Sequence, residues 1–283
     1  SVTLMVYAIL TEQNITKMFL AAYVPALLAA AGYILAIALV VRLQPGQAPA
    51  AQAASGREIA TAAARVWPIM TIFVVVFGGI YGGIFTATEG AAIGNLLTFA
   101  ITLIKREMDL ARLLACIRTT AQTSGMIFMI FIGADMINAA LALSQLPAQL
   151  ADIVSHLQIS PLVVMGGIMV FYILLGCVMD EMSMILLTVP TLFPVIMGMD
   201  FFGLDASDKA LWFGILILTV CEIGMIFPPV GLNVYMMNGL AKDVPMVETY
   251  KGVVPFLLTD AVRLALLIGF PSIALWLVHR LAG

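Results

Sequence analysis

The chain has 283 residues, of which 63% are hydrophobic and only 10% are charged, and its formal net charge is −3. About a quarter of the residues are charged in an ordinary soluble domain, so the composition excludes that class. Apolar runs of roughly 20 residues recur along the chain, which is typical of a helical protein that crosses a membrane several times. The three cysteines have no paired spacing, which argues against disulfides or a structural metal. The composition therefore predicts an all-α polytopic membrane protein.

The first 104 residues predict membrane helices separated by a polar connection. Residues 1–41 predict the tail of one helix followed by a spanning helix. Residues 42–65 are rich in Ala, Gln, Pro and Gly, and they predict a flexible cytoplasmic linker. The apolar run over 66–104 is long enough for two helices, which we expect to meet near residues 86–90.

The rest of the chain predicts five further elements. Residues 108–118 are amphipathic and predict an interfacial helix, which precedes a spanning helix over 119–142. Residues 160–199 form two short apolar runs with acids between them, as expected of a re-entrant helical hairpin, because non-helical backbone is tolerated inside a membrane only where protein or a cavity surrounds it. Residues 211–241 predict a broken helix, and 253–278 predict the last spanning helix.

The distribution of lysine and arginine supports the hairpin. Segments 42–65, 105–118 and 242–251 hold nine of the thirteen basic residues, and the segments on the opposite side hold three. This excess predicts that the first set faces the cytoplasm. The alternation of sides holds only if residues 160–199 enter and leave the membrane from the same, non-cytoplasmic side.

The stretch EIGMIFPPVGLN interrupts the predicted helix over 211–241. Pro228 and Pro229 remove two backbone donors, so nearby carbonyls lose their helical partners, and Gly231 permits a sharp turn. Free carbonyls and half-helix ends inside a membrane suit a cation or an anionic substrate. The alternative is a simple proline kink. Glu222 lies about six residues before the break, which favours pairing with a neighbour over a role as a ligand.

The hairpin apex, GCVMDEMSMILLT, offers hard oxygen ligands, which suit Na⁺ better than a soft metal. Two adjacent acids, Asp180 and Glu181, are costly beside the membrane unless they are used. If the apex lies at the surface instead, both acids are simply solvated. We expect Asp180 and Ser183 to matter more than Glu181, with Thr188 as a further oxygen ligand.

Other polar residues have a structural and a functional interpretation. Thr88 and its neighbours in FTATEG either cap a helix or act in function. Asp135 either packs and forms hydrogen bonds between helices or lines a cavity. Asp260 and Arg263 are expected to form a structural pair inside the membrane. No motif of an enzyme active site or of ATP binding is present, and nothing indicates a nucleic-acid partner.

Two short motifs recur in the same order at both ends of the chain. LMVY at 4–7 matches LNVY at 232–235, and VPALL at 24–28 matches VPFLL at 254–258. They indicate the end of one structural repeat followed by a second one, and repeated halves with broken helices are typical of secondary transporters. The alternative is that two such short matches arise by chance in an apolar chain.

Three stretches together resemble the large membrane subunit of TRAP (tripartite ATP-independent periplasmic) transporters, over the C-terminal two-thirds of that subunit. The three stretches are GGIYGGIFTATEGAAIG, GCVMDEMSMILLTVPTLFPVI and WFGILILTVCEIGMIFPPVGLNVY. The resemblance implies an elevator-type transporter built of two inverted repeats, each with a re-entrant hairpin and a broken helix. Residues 1–41 would end the first repeat, mostly absent here, and residues 66–283 would form the second.

The same resemblance implies Na⁺-driven uptake of small organic acids across the bacterial inner membrane, with Na⁺ as coupling ion and no other cofactor. The implied partners are a small four-helix membrane subunit, a periplasmic substrate-binding protein, the N-terminal repeat of the large subunit, and the lipid bilayer. A passive channel or scaffold without ion coupling is the alternative.

The resemblance also implies site residues. It places one Na⁺ site between the hairpin and the broken helix, formed by Gly176, Asp180, Ser183, Phe227, Pro228, Pro229 and Asn233. It places the substrate pathway near Met182, Thr188, Gly231, Thr86, Thr88 and Glu89. One departure is that the family usually reads Thr-Pro-Thr-Glu-Ala where this chain has Thr-Ala-Thr-Glu-Gly, so the turn lacks a proline.

Overall fold

A computed structural model describes residues 1–43, 55–145, 149, 159–240 and 244–281. Within these ranges it contains twelve α-helices, which we number in chain order. Five of them, α2, α5, α6, α9 and α11, are long and apolar enough to cross a membrane, and α3 and α4 pass the same test together as a pair bent by 51°. The helices are α1 Val2–Leu10, α2 Ile15–Leu43, α3 Gly56–Arg65, α4 Trp67–Tyr81, α5 Ala87–Ile104, α6 Leu110–Leu143, α7 Pro161–Gly176, α8 Glu181–Met197, α9 Ala206–Ile226, α10 Leu232–Leu240, α11 Met246–Gly269 and α12 Ser272–Leu281.

The chain divides into two units, Ser1–Gln47 with Ile130–Gly283 and Ala48–Met129. In the smaller unit, α4 packs against α5 and α3 contacts α4. The larger unit is built around α9, which is buried along most of its length between α7, α8, α2 and α11. The polar atoms of two buried aromatic side chains form hydrogen bonds across this unit. Trp212 Nε1 donates to Leu267 O over 2.7 Å, and Tyr7 Oη donates to Ala210 O over 2.8 Å. Helix α9 thus lies at the centre of the larger unit and contacts the elements described below.

The predicted boundary between an interfacial helix (108–118) and a spanning helix (119–142) is wrong. The structure has one continuous helix, α6, of 34 residues. At this boundary an amphipathic pattern gives way to an all-apolar run, but a change in hydropathy does not end a helix. No proline lies within α6, so its backbone hydrogen bonds continue without interruption.

Two other predicted bounds need correction. The predicted linker 42–65 is partly helical, since α2 continues to Leu43 and α3 begins at Gly56 under a capping box of Ser55 and Glu58; residues 44–54 lie outside the described residues. The predicted last span, 253–278, is two helices. Pro271 has no N–H and disfavours a helical residue before it, so α11 ends at Gly269 and α12 follows.

The two ends of the larger unit contain helices of the same form in the same order. Helices α1 and α10 are both nine residues long, and each is followed by a long helix with an internal proline, Pro25 in α2 and Pro255 in α11. This is also the order of the two sequence motifs, and an internal repeat, in which α1 with α2 corresponds to α10 with α11, stays a prediction.

Candidate cation and substrate site

Helices α7 and α8 form the two arms of the predicted hairpin. They have 16 and 17 residues, fewer than the roughly 20 that a spanning helix needs. The hydroxyls of Tyr172 on α7 and Thr188 on α8 contact each other, so the arms lie side by side. Thr188 also donates to Met184 O over 2.7 Å. The Thr188 hydroxyl is thus engaged within the hairpin.

The hairpin apex is a capped helix start. Asp180 is the N-cap of α8, and its carboxylate accepts hydrogen bonds from Ser183 N over 3.0 Å and from Ser183 Oγ over 2.6 Å. Asp180 is exposed and Ser183 is half-buried. Because the N-terminus of a helix carries a partial positive charge, a carboxylate is favourable there even without a ligand. Capping and cation binding therefore both fit the geometry.

The second part of the candidate site is the break in the predicted broken helix, which spans residues 227–231. Helix α9 ends at Ile226, Phe227 is extended with φ −80° and ψ 135°, and Pro228 and Pro229 are joined by a cis peptide bond. Gly231 has a φ of +50°, and a side chain there would place its Cβ 3.1 Å from Phe227 O. Only glycine fits this turn without strain. Helix α10 then begins, with Asn233 exposed in its first turn.

The hairpin and the break touch through small residues. Gly176, at the end of α7, lies so close to Gly224 of α9 that a Cβ on Gly176 would come within 2.9 Å of Gly224 Cα. The next residue, Cys177, has its Sγ 3.2 Å from Ile173 O of α7, 3.4 Å from Phe227 O and 3.8 Å from Pro228 O, and it can donate its one proton to any of the three. The sequence predicted that these carbonyls face Asp180 and Ser183. In the structure the contact runs through the buried Cys177 thiol instead.

Two further carbonyls of the break, those of Pro229 and Val230, face α11. Tyr250 Oη lies 2.9 Å from Pro229 O and 2.7 Å from Val230 O, and it can donate its one proton to either. The break is thus bound on two sides: Cys177 holds its first half to the hairpin, and Tyr250 holds its second half to α11.

We expect Gly176→Ala to separate the hairpin from the break. The added methyl meets the Gly224 backbone, which cannot turn aside as a flexible side chain can, and overpacking of this kind costs about 1–3 kcal/mol. The free energy of unfolding in detergent measures the effect. Gly167→Ala on the same helix is the matched control, because no atom lies within 4 Å of the position that its methyl would take. Equal stability of the two variants would contradict this contact.

A cluster of charged and polar groups lies beside α9. Asp260 and Arg263 on α11 are both buried, with Arg263 Nη2 3.0 Å from Asp260 Oδ1, and Tyr33 on α2 donates to Asp260 Oδ2 over 2.7 Å. Glu222 on α9 is half-exposed, and its Oε2 is 3.6 Å from the same Arg263 Nη2. The cluster thus joins α2, α9 and α11, and it places Glu222 beside a cation rather than beside the break.

Four further predicted site residues belong to helices other than those of the hairpin and the break. In the smaller unit, Thr86 and Glu89 form a capping box at the start of α5: Thr86 N donates to Glu89 Oε2 over 2.8 Å, and Glu89 N to Thr86 Oγ1 over 3.3 Å. The cap is Thr86, so the prediction of Thr88 as cap is wrong; the helix starts earlier than expected, at Ala87. Asp135 is exposed on α6.

Met182 belongs to the packing of the hairpin. It is half-buried and packs against the apolar cluster formed by Val6, Ala134 and Leu186. An apolar side chain in this position anchors the first turn of α8 against α1 and α6. Asn138 of α6 also donates to Leu186 O over 3.3 Å, which fixes the same arm of the hairpin.

Sequence reasoning missed Cys177, Gly224 and Tyr250, which make the contacts between the hairpin, the break and α11. Only Cys177 carried a usable signal, because it follows Gly176 directly in the apex motif. The partners of Gly224 and Tyr250 lie on other helices, so their roles follow from tertiary packing alone.

The fold and the site define an all-α, multi-pass membrane protein in which a short helical hairpin rests on a broken helix. Comparison with known proteins gives the family. The family model described as "Tripartite ATP-independent periplasmic transporter, DctM component" matches residues 1–273. The chain therefore belongs to the DctM family of TRAP transporter permeases, a family of transport proteins of the bacterial inner membrane rather than of enzymes.

Three relatives with curated names show the breadth of the family. The chain is 29% identical over 283 residues to the C4-dicarboxylate TRAP transporter large permease protein of Pseudomonas aeruginosa, covering 99% of this chain and 64% of the relative. It is 27% identical over 284 residues to the sialic acid large permease protein of Vibrio cholerae (100% and 64%). It is 28% identical over 284 residues to the ectoine/5-hydroxyectoine large permease protein of Ruegeria pomeroyi (98% and 63%). The chain thus spans a little under two thirds of the length of these relatives.

Proposed function

We propose that this chain supplies one cation-binding half of a permease that uses an inward Na⁺ gradient to import small organic acids. The junction of hairpin and break carries the proposal. Gly176 and Gly224 allow backbone contact between α7 and α9. The Cys177 thiol, at the start of the hairpin turn, contacts the Phe227 and Pro228 carbonyls. Asp180 follows Cys177 by three residues, so a small movement of the apex would bring its carboxylate to these carbonyls when the ion binds.

The available ligands fit Na⁺. Asp180 supplies a negative oxygen, Ser183 a hydroxyl oxygen, and Phe227 and Pro228 supply carbonyls, all of them hard donors. The described residues contain no group of three or more His, Cys, Asp or Glu that could hold a transition metal. Binding would turn the Ser183 hydroxyl away from Asp180, so that one Asp180 oxygen and the Ser183 lone pair become available to the ion. Sodium would then hold the apex of the hairpin against the break.

A carboxylate substrate would meet positive helix ends nearby. Helices α8 and α10 both begin beside this junction, and the N–H groups of their first turns carry partial positive charge. Two of the relatives are named for C4-dicarboxylates and sialic acid, which are acids, and a third is named for ectoine. We therefore propose a small carboxylate as the substrate class, with a periplasmic binding protein that delivers it and a small membrane subunit that completes the complex.

The paired form of α1–α2 and α10–α11 supports movement of the elevator type. In that mechanism the hairpin and broken helix move together across the membrane, against helices that stay fixed, and the ion site closes before the movement. The close packing of α7, α8 and α9 against one another is that expected of elements that move as one body.

Uptake of labelled carboxylates into proteoliposomes tests the function. The chain is reconstituted with the N-terminal repeat of the large subunit, the small membrane subunit and the periplasmic binding protein that the proposal requires. Initial rates are then compared under an inward Na⁺ gradient and an equal K⁺ gradient. The proposal predicts saturable uptake that requires Na⁺ and the binding protein. Flux that does not saturate and is equal in K⁺ would show a passive channel, and it would overturn the proposal.

A further inference from the structure

A groove runs between the C-terminal end of α2 and the N-terminal half of α11. Its volume is about 540 Å³. The walls are apolar and the mouth is charged, with Glu248 and Lys251 forming an ion pair of 2.7 Å. The groove exists because α11 lacks side-chain bulk on this face: Gly252 has no atom within 4 Å of the position of a Cβ, and Pro255 lies three residues, one helical turn, further on.

The length of the groove along α11 is close to the thickness of the hydrocarbon part of one membrane leaflet. Its lining on α11 extends from Glu248 to Phe256, which corresponds to about 12 Å of helix at 1.5 Å per residue. Half of a hydrocarbon core about 30 Å thick is about 15 Å. The charged mouth lies at the end of α11 that belongs to the basic segment 242–251, which is the cytoplasmic end by the distribution of lysine and arginine.

The charges at the mouth select a headgroup. The side chains of Lys251 and Glu248 are 67% and 57% exposed, so their pair contributes little stability and opens readily. An ammonium beside a carboxylate, with no net charge, complements a headgroup that has both a phosphate and a primary amine. An anionic headgroup without an amine would pair with Lys251 but leave the Glu248 carboxylate without a partner.

The combination of a charged mouth and apolar walls suits a lipid. Its headgroup would meet Glu248 and Lys251, and an acyl chain would lie along the apolar residues further down the groove. We propose that this groove is a binding site for a zwitterionic aminophospholipid of the cytoplasmic leaflet, with its phosphate on Lys251, its ammonium on Glu248 and an acyl chain along Gly252 and Pro255.

Photo-crosslinking tests this site. The chain, with the partners that co-purify with it, is placed in phosphatidylcholine vesicles that contain a photoactivatable phosphatidylethanolamine or a matched phosphatidylglycerol. We expect the ethanolamine probe to label peptides within 37–43 and 248–256 roughly fivefold more strongly than the glycerol probe. Gly252→Leu should reduce this labelling by a similar factor, because its side chain fills the groove. Gly269→Leu is the matched control, as another exposed glycine of α11 with no atom within 4 Å.

A second variant keeps the test independent of groove shape. Glu248→Gln removes the partner of the lipid ammonium and should bring the two probes to equal labelling while leaving the protein folded. The site is overturned by equal labelling of both lipids in the unmodified protein, by labelling that Gly252→Leu does not change, or by labelling of a co-purified polypeptide in place of these peptides. None of these outcomes depends on whether the protein transports a carboxylate.

Discussion

Asp180→Asn is expected to abolish Na⁺-dependent uptake while the protein remains folded. Asparagine is as good an N-cap as aspartate, because its one amide oxygen can still accept the hydrogen bond from Ser183 N at the start of α8. The negative charge is lost, together with the second oxygen that accepts from Ser183 Oγ. Two unit charges 4 Å apart interact by about 4 kcal/mol at an effective dielectric constant of about 20, which corresponds to roughly a thousandfold change in affinity. Initial uptake rates across a range of Na⁺ concentrations measure the loss.

Two comparisons separate the charge of Asp180 from its cap. Asp180→Ala removes both, so it should lose uptake and also about 0.5–2 kcal/mol of stability. Asp205→Asn is the matched control, because Asp205 caps α9 in the same way, accepting from Asp208 N over 2.7 Å, but lies at the other end of that helix from the break. Its Na⁺ response should be unchanged. If Asp180→Asn transports with an unchanged Na⁺ requirement, Asp180 is a helix cap and not a ligand.

Arg263→Met is expected to be the most destabilising substitution in the larger unit. It leaves the Asp260 carboxylate buried, with the Tyr33 hydroxyl as its remaining contact in the cluster, and it removes the cation beside Glu222. Removal of one partner from a buried ion pair typically costs about 3–5 kcal/mol. The free energy of unfolding, measured by titration with a denaturing detergent, should fall by this amount.

The double variant Asp260→Asn/Arg263→Met provides the control for the ion pair. It removes both buried charges and keeps the side-chain volumes similar, so it should recover much of the stability that Arg263→Met loses. Lys251→Met, which breaks the exposed pair with Glu248, should cost at most about 1 kcal/mol. A double variant as unstable as Arg263→Met would show that the guanidinium matters through packing rather than through charge.

The prediction of the hairpin and the break rests on local sequence signals. Pro228 and Pro229 cannot donate backbone hydrogen bonds, and Gly231 readily adopts a positive φ. These neighbouring residues are enough to predict that the helix is interrupted. The two short arms around Asp180 are likewise visible as apolar runs too short to span. Proline and glycine interrupt a helix at their own positions, so a single sequence is enough to predict where a helix breaks.

Helix boundaries without a local breaker are harder to predict. The predicted division of α6 at residue 118 follows hydropathy, although nothing in the backbone ends the helix there. In contrast, Pro271 does end α11, but the apolar run continues past it and conceals the boundary. Membrane helices are apolar on both sides of a bend, so hydropathy reports burial in lipid and not the continuity of a helix.

The contacts that complete the site depend on residues far apart in the chain. Cys177 meets Phe227 fifty positions later, and Glu222 meets Arg263 across two helices. Sequence reasoning indicated that Glu222 would pair with a neighbour but not which one. It placed the break carbonyls against Asp180, whereas the structure places them against Cys177 and Tyr250. Packing between helices decides such partners, and one sequence carries no direct record of it.

The reactivity of the Cys177 thiol tests the central claim, that Na⁺ closes the hairpin onto the break. In a Cys116→Ser variant, which lacks the exposed cysteine, the rate of alkylation by N-ethylmaleimide is followed at Cys177 by mass spectrometry, with the buried Cys221 as internal reference. We predict that Na⁺, but not an equal concentration of K⁺, slows alkylation of Cys177, and that Asp180→Asn abolishes this protection. Equal rates in Na⁺ and K⁺, or protection that persists in Asp180→Asn, would contradict a Na⁺ site at this junction.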